Sequence, residues 1–433
     1  MLQRIKGTQD FLDLTLYNFL ITKTKNHFEK YCFTEIATPI LEPVELFKRS
    51  LGLETDVVTK EMYTIASNAA EALRQAQGER PEKSAITDSD IICLRPEATA
   101  STMRAFLQAH IETLPWKVYT YGPMFRHERP QKGRFRQFHQ ISLEVIGTQS
   151  IMQDALLITM LDRLFSEHLM LDTYALFINF LGCVQDRVAF KKIVHAFLKK
   201  NIDALCATCI ERKDKNILRV FDCKNANCQA LYKNAPKTTD HLCKHCAHEW
   251  QTLQVTLQKL SVSFSCVPTL VRGLDYYDKT VFEFVSTDLG AQNAFCGGGR
   301  YDGLAEQLGS TTAYPSIGAA IGIERVVAML EAKKDVLLPQ PKPIQVIIPV
   351  AREQQAVAML LADHLIAQGK CVTVLLEGDS MKSMMRKANK LGAQHALIIG
   401  EDEQKNNSVT IKNMITSKTD TVKQTDVLRY LPA

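Results

Sequence analysis

The 433-residue chain has no run of about 18 uninterrupted apolar residues, the length a helix needs to span a bilayer. Its opening stretch, MLQRIKGTQDFLDL, has no apolar core of signal-peptide length. These absences exclude a helical membrane protein, and a cytoplasmic location is expected. Disulfide density is missing too. Twelve cysteines in 433 residues are too sparse for a disulfide scaffold, so in a reducing compartment they read as thiols or metal ligands. There is no internal repeat. The glycine run in FCGGGRYDGL, Gly297 to Gly299, lacks the Lys-Ser/Thr ending of a P-loop and the spacing of a dinucleotide fingerprint, which excludes both. Charge bias is slight: a net charge of +5 and a pI near 8.5 permit a nucleic-acid partner without demanding one.

What is present has the composition of a soluble globular protein, with 46% hydrophobic and 23% charged residues. The length asks for two or three domains. Apolar spacing predicts an amphipathic helix over 13–31, followed by strand character in YCFTEIATPILEP. Residues 65–90 are polar, lack an apolar stripe and read as an exposed insertion. WKVYTYGPMF and FHQISLEVIG flank an arginine-rich loop, the pattern of an antiparallel ribbon with a long basic tip. A second amphipathic helix is predicted over 152–170. The zone 185–260 is helical and charged, and Cys206 to Cys246 within it holds six of the twelve cysteines. YDKTVFEFVS and AFCGGGRYDGL read as strands, and SIGAAIGIERVVAMLE as a glycine-punctuated helix. Residues 333–343, with three prolines, form a linker. Beyond it, IQVIIPV, CVTVLL and HALIIG alternate with helical segments 352–369 and 380–392, the βαβαβ spacing of a small parallel α/β domain.

The loop FRHERPQKGRFRQF packs four arginines and a lysine between aromatic ends. A solvated surface is the bland explanation of such a run. Strand alternation, however, puts Arg126 with Glu128 on one face, and Gln140 with Glu144 on one face of the return strand. Charges on a buried sheet face are costly unless they are paired or meet a ligand. Guanidinium forks suit phosphate oxygens and a phenylalanine ring can stack on a base, so a nucleoside triphosphate fits. In LVRGLDYY, Arg272 precedes Tyr276 and Tyr277; in a strand these tyrosines would face opposite sides, one per pocket. Glycines within a strand mark close approach of a ligand or another backbone. Arg325 falls in the first turns of an apolar helix.

These residues match a known family. YGPMFRHERPQKGRFRQFHQISLEVIG resembles motif 2 of the class II aminoacyl-tRNA synthetases, GIGIERVVAML their motif 3, and YCFTEIATPILEP, with Pro39, their motif 1. LRPEATA, LVRGLDYY and CGGGRYDGL are similar to signature segments of the histidyl-tRNA synthetases. The resemblance implies an α+β catalytic domain with an antiparallel sheet over 1–332, including a helical Cys-rich insertion at 185–260. It implies a linker at 333–343 and an anticodon-binding α/β domain at 344–433. It further implies a homodimer built through motif 1, with ATP, L-histidine and tRNA(His) as partners and Mg²⁺ on the pyrophosphate oxygens.

Residue by residue, the resemblance assigns Arg126 to the α-phosphate, Phe138 to stacking on adenine, Glu128 to the adenine edge, and Arg325 with Arg134 to the γ-phosphate. Arg272 would stabilise the α-phosphoryl transition state. Glu144 and Tyr277 would read the imidazole, while Glu97, Thr99 and Gln140, with Tyr276 close by, would hold the α-amino group. Arg129 and Gln131 at the loop tip would meet the tRNA acceptor end. The sequence departs from the family pattern where Cys32 and Ala98 replace glycines.

The cysteines need their own weighing. Cys223, Cys228, Cys243 and Cys246, spaced C-x4-C and C-x2-C, form a candidate zinc quartet, with Cys206 and Cys209 a further C-x2-C. Reduced thiols are the favoured reading. The rival function is a non-catalytic relative, the regulatory subunit of ATP phosphoribosyltransferase. It lacks the C-terminal domain and loses active-site residues, whereas Arg126, Arg272, Arg325 and 344–433 are all present here.

Overall fold

In a computed structural model, described over residues 2–53, 55–65, 91–131, 133–290, 293–339 and 342–432, the chain divides into two compact units, 1–334 and 335–433. The insertion expected at 65–90 lies, apart from Ile65, outside the described residues.

The first helix, Thr15–Glu29, buries Leu16, Leu20, Thr24, His27 and Phe28, the one-sided spacing that holds a helix on a core. It ends in a tight reversal where Cys32 adopts a left-handed φ of 61°, at one of the two positions where glycine was expected. Strand β1 (Thr34–Glu35) follows. The short strands β2 (Leu41–Pro43), β3 (Thr64–Ile65) and β4 (Ile92–Leu94) form a small sheet in the order β2-β4-β3. Arg95, just after β4, is buried because its guanidinium donates to the Thr38 carbonyl (3.0 Å), the Thr38 hydroxyl (2.9 Å) and the Pro123 carbonyl (3.2 Å). It ties the chain before β2 to the main sheet.

The main sheet adds β5 (Trp116–Phe125), β6 (Gln137–Ile146), β7 (Ala175–Phe180), β8 (Ser265–Cys266), β9 (Asp278–Val285), β10 (Ala294–Arg300) and β11 (Ser316–Gly322). Its order is β1-β5-β6-β11-β10-β9-β7-β8. The inner pairings are antiparallel, and the edge pairings β1–β5 and β7–β8 are parallel. The expected ribbon is the β5–β6 pair, in register from Trp116–Ile146 to Phe125–Gln137. SIGAAIGIERVVAMLE is only half helix: Ser316–Gly322 is the strand β11, and the helix is Ile323–Leu330. A central strand covered on both faces reads as an unbroken small-apolar run, which periodicity alone does not separate from a buried helix.

One sheet face packs on the helix Ile151–Arg163 and its continuation to His168. There the Phe165 ring meets Phe284 and Phe295 edge-on, with centroids 5.0 and 4.9 Å apart. On the other face Val281, Tyr276, Tyr277 and Tyr301 pack with Met103 and Phe106 of the helix Thr99–Gln108. The zone 185–260 is helical as expected, with helices Val184–Lys200, Ala207–Lys215, Ala226–Tyr232 and Lys244–Lys259. The linker region opens with a short helical turn, Lys334–Leu337.

In the second unit β12 (Ile344–Pro349), β13 (Cys371–Val374) and β14 (Ala393–Ile399) are parallel, with helices Gln355–Ala367 and Met381–Lys390. The sheet is nonetheless mixed. Strands β15 (Ser408–Asn413) and β16 (Thr419–Lys423) extend it antiparallel, in the order β13-β12-β14-β15-β16. TDTVK is an edge strand, almost wholly exposed, and its polar composition carries little strand signal.

Candidate active site

A cavity of about 410 Å³ opens over β6, β9, β10 and β11. Its wall brings together Glu97, Thr99, Arg126, Glu128, Arg134, Phe138, Gln140, Arg272, Tyr276, Tyr277 and Arg325, residues that lie up to 228 positions apart in the chain (97 to 325). Arg129 and Gln131 lie outside it, exposed at the ribbon's tip. Glu144 is not on the wall either; it lies directly behind Thr99.

Two glycines make room for the charged groups. Gly318 of β11 sits opposite Glu144 of β6, and a Cβ on it would stand 1.7 Å from the Glu144 carboxylate. Gly297 of β10 lies under the Arg272 guanidinium, where a Cβ would stand 2.6 Å from Nη1. Arg272 also sits 5.7 Å from the Tyr277 ring and pairs with Glu283, the β9 residue opposite Gly297. Burial, the largest single influence, would lower the Arg272 pKa, but the Glu283 carboxylate together with the Tyr277 and Tyr276 phenols and Cys296 outweighs it and holds the guanidinium firmly charged. The Arg272 Nε has no hydrogen-bond partner among the described residues.

At one end of the cavity positive charges crowd. The Arg126 Nε donates to the Pro96 carbonyl (3.0 Å), and its guanidinium lies 5.4 Å from the Phe138 ring. The Arg325 Nε donates to the Gly133 carbonyl (3.1 Å) and its Nη1 to the Ala294 carbonyl. Arg134 pairs with Glu128 and lies 3.8 Å from Glu61. Burial lowers the pKa of Arg126 and of Arg325, and Arg126 and Arg134 depress Arg325 further by repulsion. Such a set is short of negative charge.

The other end crowds carboxylates and phenols. Glu97 caps the helix Thr99–Gln108, accepting from the backbone N–H of Thr99 (2.7 Å) and of Ala100 (2.8 Å). Ala98, with φ −108°, fits there without a left-handed backbone. The Glu144 carboxylate accepts from the Thr99 hydroxyl (2.7 Å) and from the Tyr301 hydroxyl. Burial pushes its pKa up to about 8 and raises that of Glu97 as well. Tyr276 and Tyr277 precede β9 in a turn, so both line the cavity, with ring centroids 4.5 Å apart; the expectation of one per pocket rested on a strand that is not there. The Gln140 Oε1 is buried without a partner among the described residues and is open to a donor.

Sequence reasoning missed Glu61, Glu283 and Tyr301. Glu283 was legible only through its register opposite the glycine run. Tyr301 follows that run directly and carried no separate signal.

The candidate quartet of Cys223, Cys228, Cys243 and Cys246 does not gather at one point. Cys223 and Cys228 gather with Cys206 and Cys209, while Cys243 and Cys246 gather with Cys183 and Asp186. The cause is the helix starts. Cys183 and Cys243 are the N-caps of Val184–Lys200 and Lys244–Lys259, and Asp186 joins them by accepting from both cap N–H groups (3.3 and 3.0 Å).

An antiparallel sheet carrying a basic ribbon, a glycine-lined floor and a helix that brings in a last arginine defines the catalytic domain of a class II aminoacyl-tRNA synthetase. The comparisons make this specific. The family model for histidyl-tRNA synthetase matches residues 68–326, and that for an anticodon binding domain matches 345–433. The chain is similar to the histidine–tRNA ligase of Thermodesulfovibrio yellowstonii (40% identity over 95% of this chain and 93% of the relative). It is also similar to that of Desulfotalea psychrophila (38%, over 95% and 91%). Its fold matches the crystal structure of apo S. aureus histidyl-tRNA synthetase with a TM-score of 0.76 and 26% identity, covering 99% of both chains. The chain belongs to the histidyl-tRNA synthetase family.

Proposed function

We propose that the cavity activates L-histidine with ATP and passes the histidyl group to tRNA(His), with the nucleotide at the arginine end and the amino acid at the carboxylate end. The observation that carries this reading is that opposition of charge within one cavity. Arg325 and Arg134 take the terminal phosphates, Arg126 the α-phosphate, and Phe138 stacks on the adenine, with Glu128 at its edge. Glu97, Thr99, Gln140 and Tyr276 hold the α-ammonium group; the unpartnered Gln140 oxygen suits a cationic donor. Glu144 and Tyr277 satisfy the two ring nitrogens, Glu144 by exchanging its Thr99 donor for a ring N–H. A pocket built on hydrogen bonds rejects apolar isosteres strongly.

The histidine carboxylate oxygen then attacks the α-phosphorus. A carboxyl–phosphorus bond forms, the α–β bridging bond breaks and pyrophosphate leaves. Arg272, held charged beside the join of the two ends, neutralises the extra charge on the pentavalent phosphorus, an electrostatic rather than covalent contribution. A hydroxyl of the terminal adenosine of the tRNA next attacks the carbonyl carbon and AMP leaves. Arg129 and Gln131 are suited by exposure to meet that end of the tRNA.

The cavity does not offer a cage of carboxylates for a divalent ion. Its carboxylates, Asp56, Glu61, Glu97, Glu128, Glu283 and Glu324, each already face a cation or a backbone donor. A Mg²⁺ ion, if it takes part, would have to be carried by the nucleotide, where it would offset phosphate charge beside Arg126 and Arg325. We assign 1–332 to the catalytic domain, 333–343 to a linker and 344–433 to anticodon binding, and expect a homodimer through the motif 1 segment. Sedimentation equilibrium at micromolar concentration tests the last point, a monomer mass contradicting it. Amino-acid-dependent exchange of pyrophosphate into ATP tests the activity: histidine alone should support it, and exchange driven equally by another amino acid would refute the reading.

A further inference from the structure

We propose that Cys206, Cys209, Cys223 and Cys228 form a structural zinc site in the insertion. Their four sulfurs lie within 4.8 Å of one another, and those of Cys206 and Cys223 are 3.6 Å apart. A tetrahedral zinc with Zn–S bonds of about 2.3 Å sets sulfurs about 3.8 Å apart, so the cluster needs only a slight breathing to accept the ion. The ligands arrive as a C-x2-C at the start of the helix Ala207–Lys215 and as Cys223 and Cys228 flanking the start of Ala226–Tyr232. This places two pairs from two turns around one point.

Backbone donors are aimed at two of the four sulfurs. The backbone N–H of Cys206 donates to the Cys228 sulfur (3.3 Å), and that of Asn225 to the Cys223 sulfur (3.4 Å). The Tyr232 hydroxyl is buried beside the Cys209 sulfur, within reach to donate to it. Donors aimed at sulfur suit metal-bound thiolates, whose charge a Zn²⁺ ion would offset. The packing gives a reason for a metal. Cys209, Cys223 and Cys228 sit in one buried cluster with Leu205, Ile217 and Tyr232 among others, so an ion held by them would tie the helices of the insertion together. The chain between Cys209 and Cys223 carries Arg219, which donates to the Gly273 carbonyl (2.6 Å) beside Arg272 and pairs with Asp222 (3.0 Å). Zinc would thus fix part of the active-site rim.

The second cluster shares the N–H···S donation, from Cys246 to the Cys243 sulfur (3.4 Å), but it has three thiols and a carboxylate in place of four thiols. Both oxygens of Asp186 already accept backbone N–H groups, and Cys243 is exposed.

The test uses the full chain, purified without chelator or metal-affinity tag, with zinc measured by mass spectrometry and cobalt exchanged into the site. We expect about one zinc per chain. It should be lost in the Cys206→Ser/Cys209→Ser variant and kept in Cys243→Ser/Cys246→Ser. The cobalt form should show the strong charge-transfer bands of four thiolates in tetrahedral geometry. Should the first variant fail to fold, the cobalt spectrum of the unaltered chain decides. Zinc-free protein, a Cys206–Cys223 disulfide in reduced preparations, loss of zinc only in the Cys243/Cys246 variant, or a three-thiolate spectrum would each overturn the proposal.

Discussion

The two ends of the cavity are electrostatic opposites built by the same device, burial of like charges without their ligand. At the arginine end, burial and mutual repulsion lower Arg325, and burial lowers Arg126. At the carboxylate end, burial raises Glu97 and pushes Glu144 up to about 8. Arg272 stands between them and is the exception, because Glu283 compensates it in advance. The difference supports the proposed placement of the ligands: an end that is short of counter-charge suits a charged ligand, while a pre-paired arginine suits the proposed role of meeting charge that develops only during reaction.

The largest effect should come from the exception. Arg272→Ala should slow histidine-dependent pyrophosphate exchange about 10²–10³-fold with the fold intact by circular dichroism, the scale of losing one transition-state donor. Gly297→Ala sharpens the point without touching the arginine, since its methyl group would displace the guanidinium; the exchange rate should fall while histidine and ATP binding stay close to normal.

Next in size is Glu144→Gln, expected to weaken histidine binding about 10–100-fold, the worth of one charge-assisted hydrogen bond. Its pH dependence has a definite sign. Unliganded Glu144 is protonated below about 8, and a ring N–H needs the ionised form, so histidine affinity should rise as pH climbs from 6 to 8 and proton release should accompany binding. The stability contribution of this group runs the other way. With its folded pKa raised above 4.5, it is fully present below 4.5 and lost as pH rises through about 8. Calorimetry across that range, compared with the Gln variant, checks both slopes.

Arg325→Ala should raise the KM for ATP about tenfold and leave that for histidine unchanged; equal effects on both would erase the distinction between the ends. The smallest effect lies outside the cavity. Cys32→Gly, which relieves a left-handed backbone, should stabilise the protein by about 1 kcal/mol in chemical denaturation and leave exchange rates alone.

Much of this cavity was legible because its side chains sit in short segments whose spacing survives folding. The ribbon, the helix bearing Arg325 and the segment of Arg272 all lie where their sequences put them. What the sequence did not disclose depends on register and on long-range pairing. Glu283 matters because it faces Gly297 across two strands. Tyr276 and Tyr277 share the cavity because β9 begins only at Asp278. Ser316–Gly322 is a strand because it pairs with β6 on one side and β10 on the other, with Gly318 leaving room for the Glu144 carboxylate. The cysteine pairs recombine because Cys183 and Asp186, far from the cluster in sequence, capture Cys243 and Cys246.

Melting temperature in the absence of ligands tests the central claim most directly, measured at pH 8 for the unaltered chain, Arg325→Ala and Glu144→Gln. If each end stores unrelieved charge, both variants should melt about 2–4 °C higher than the parent, with a smaller further rise on adding ATP to Arg325→Ala and on adding histidine to Glu144→Gln. Variants that melt lower than the parent, yet still gain from both ligands, would contradict the account.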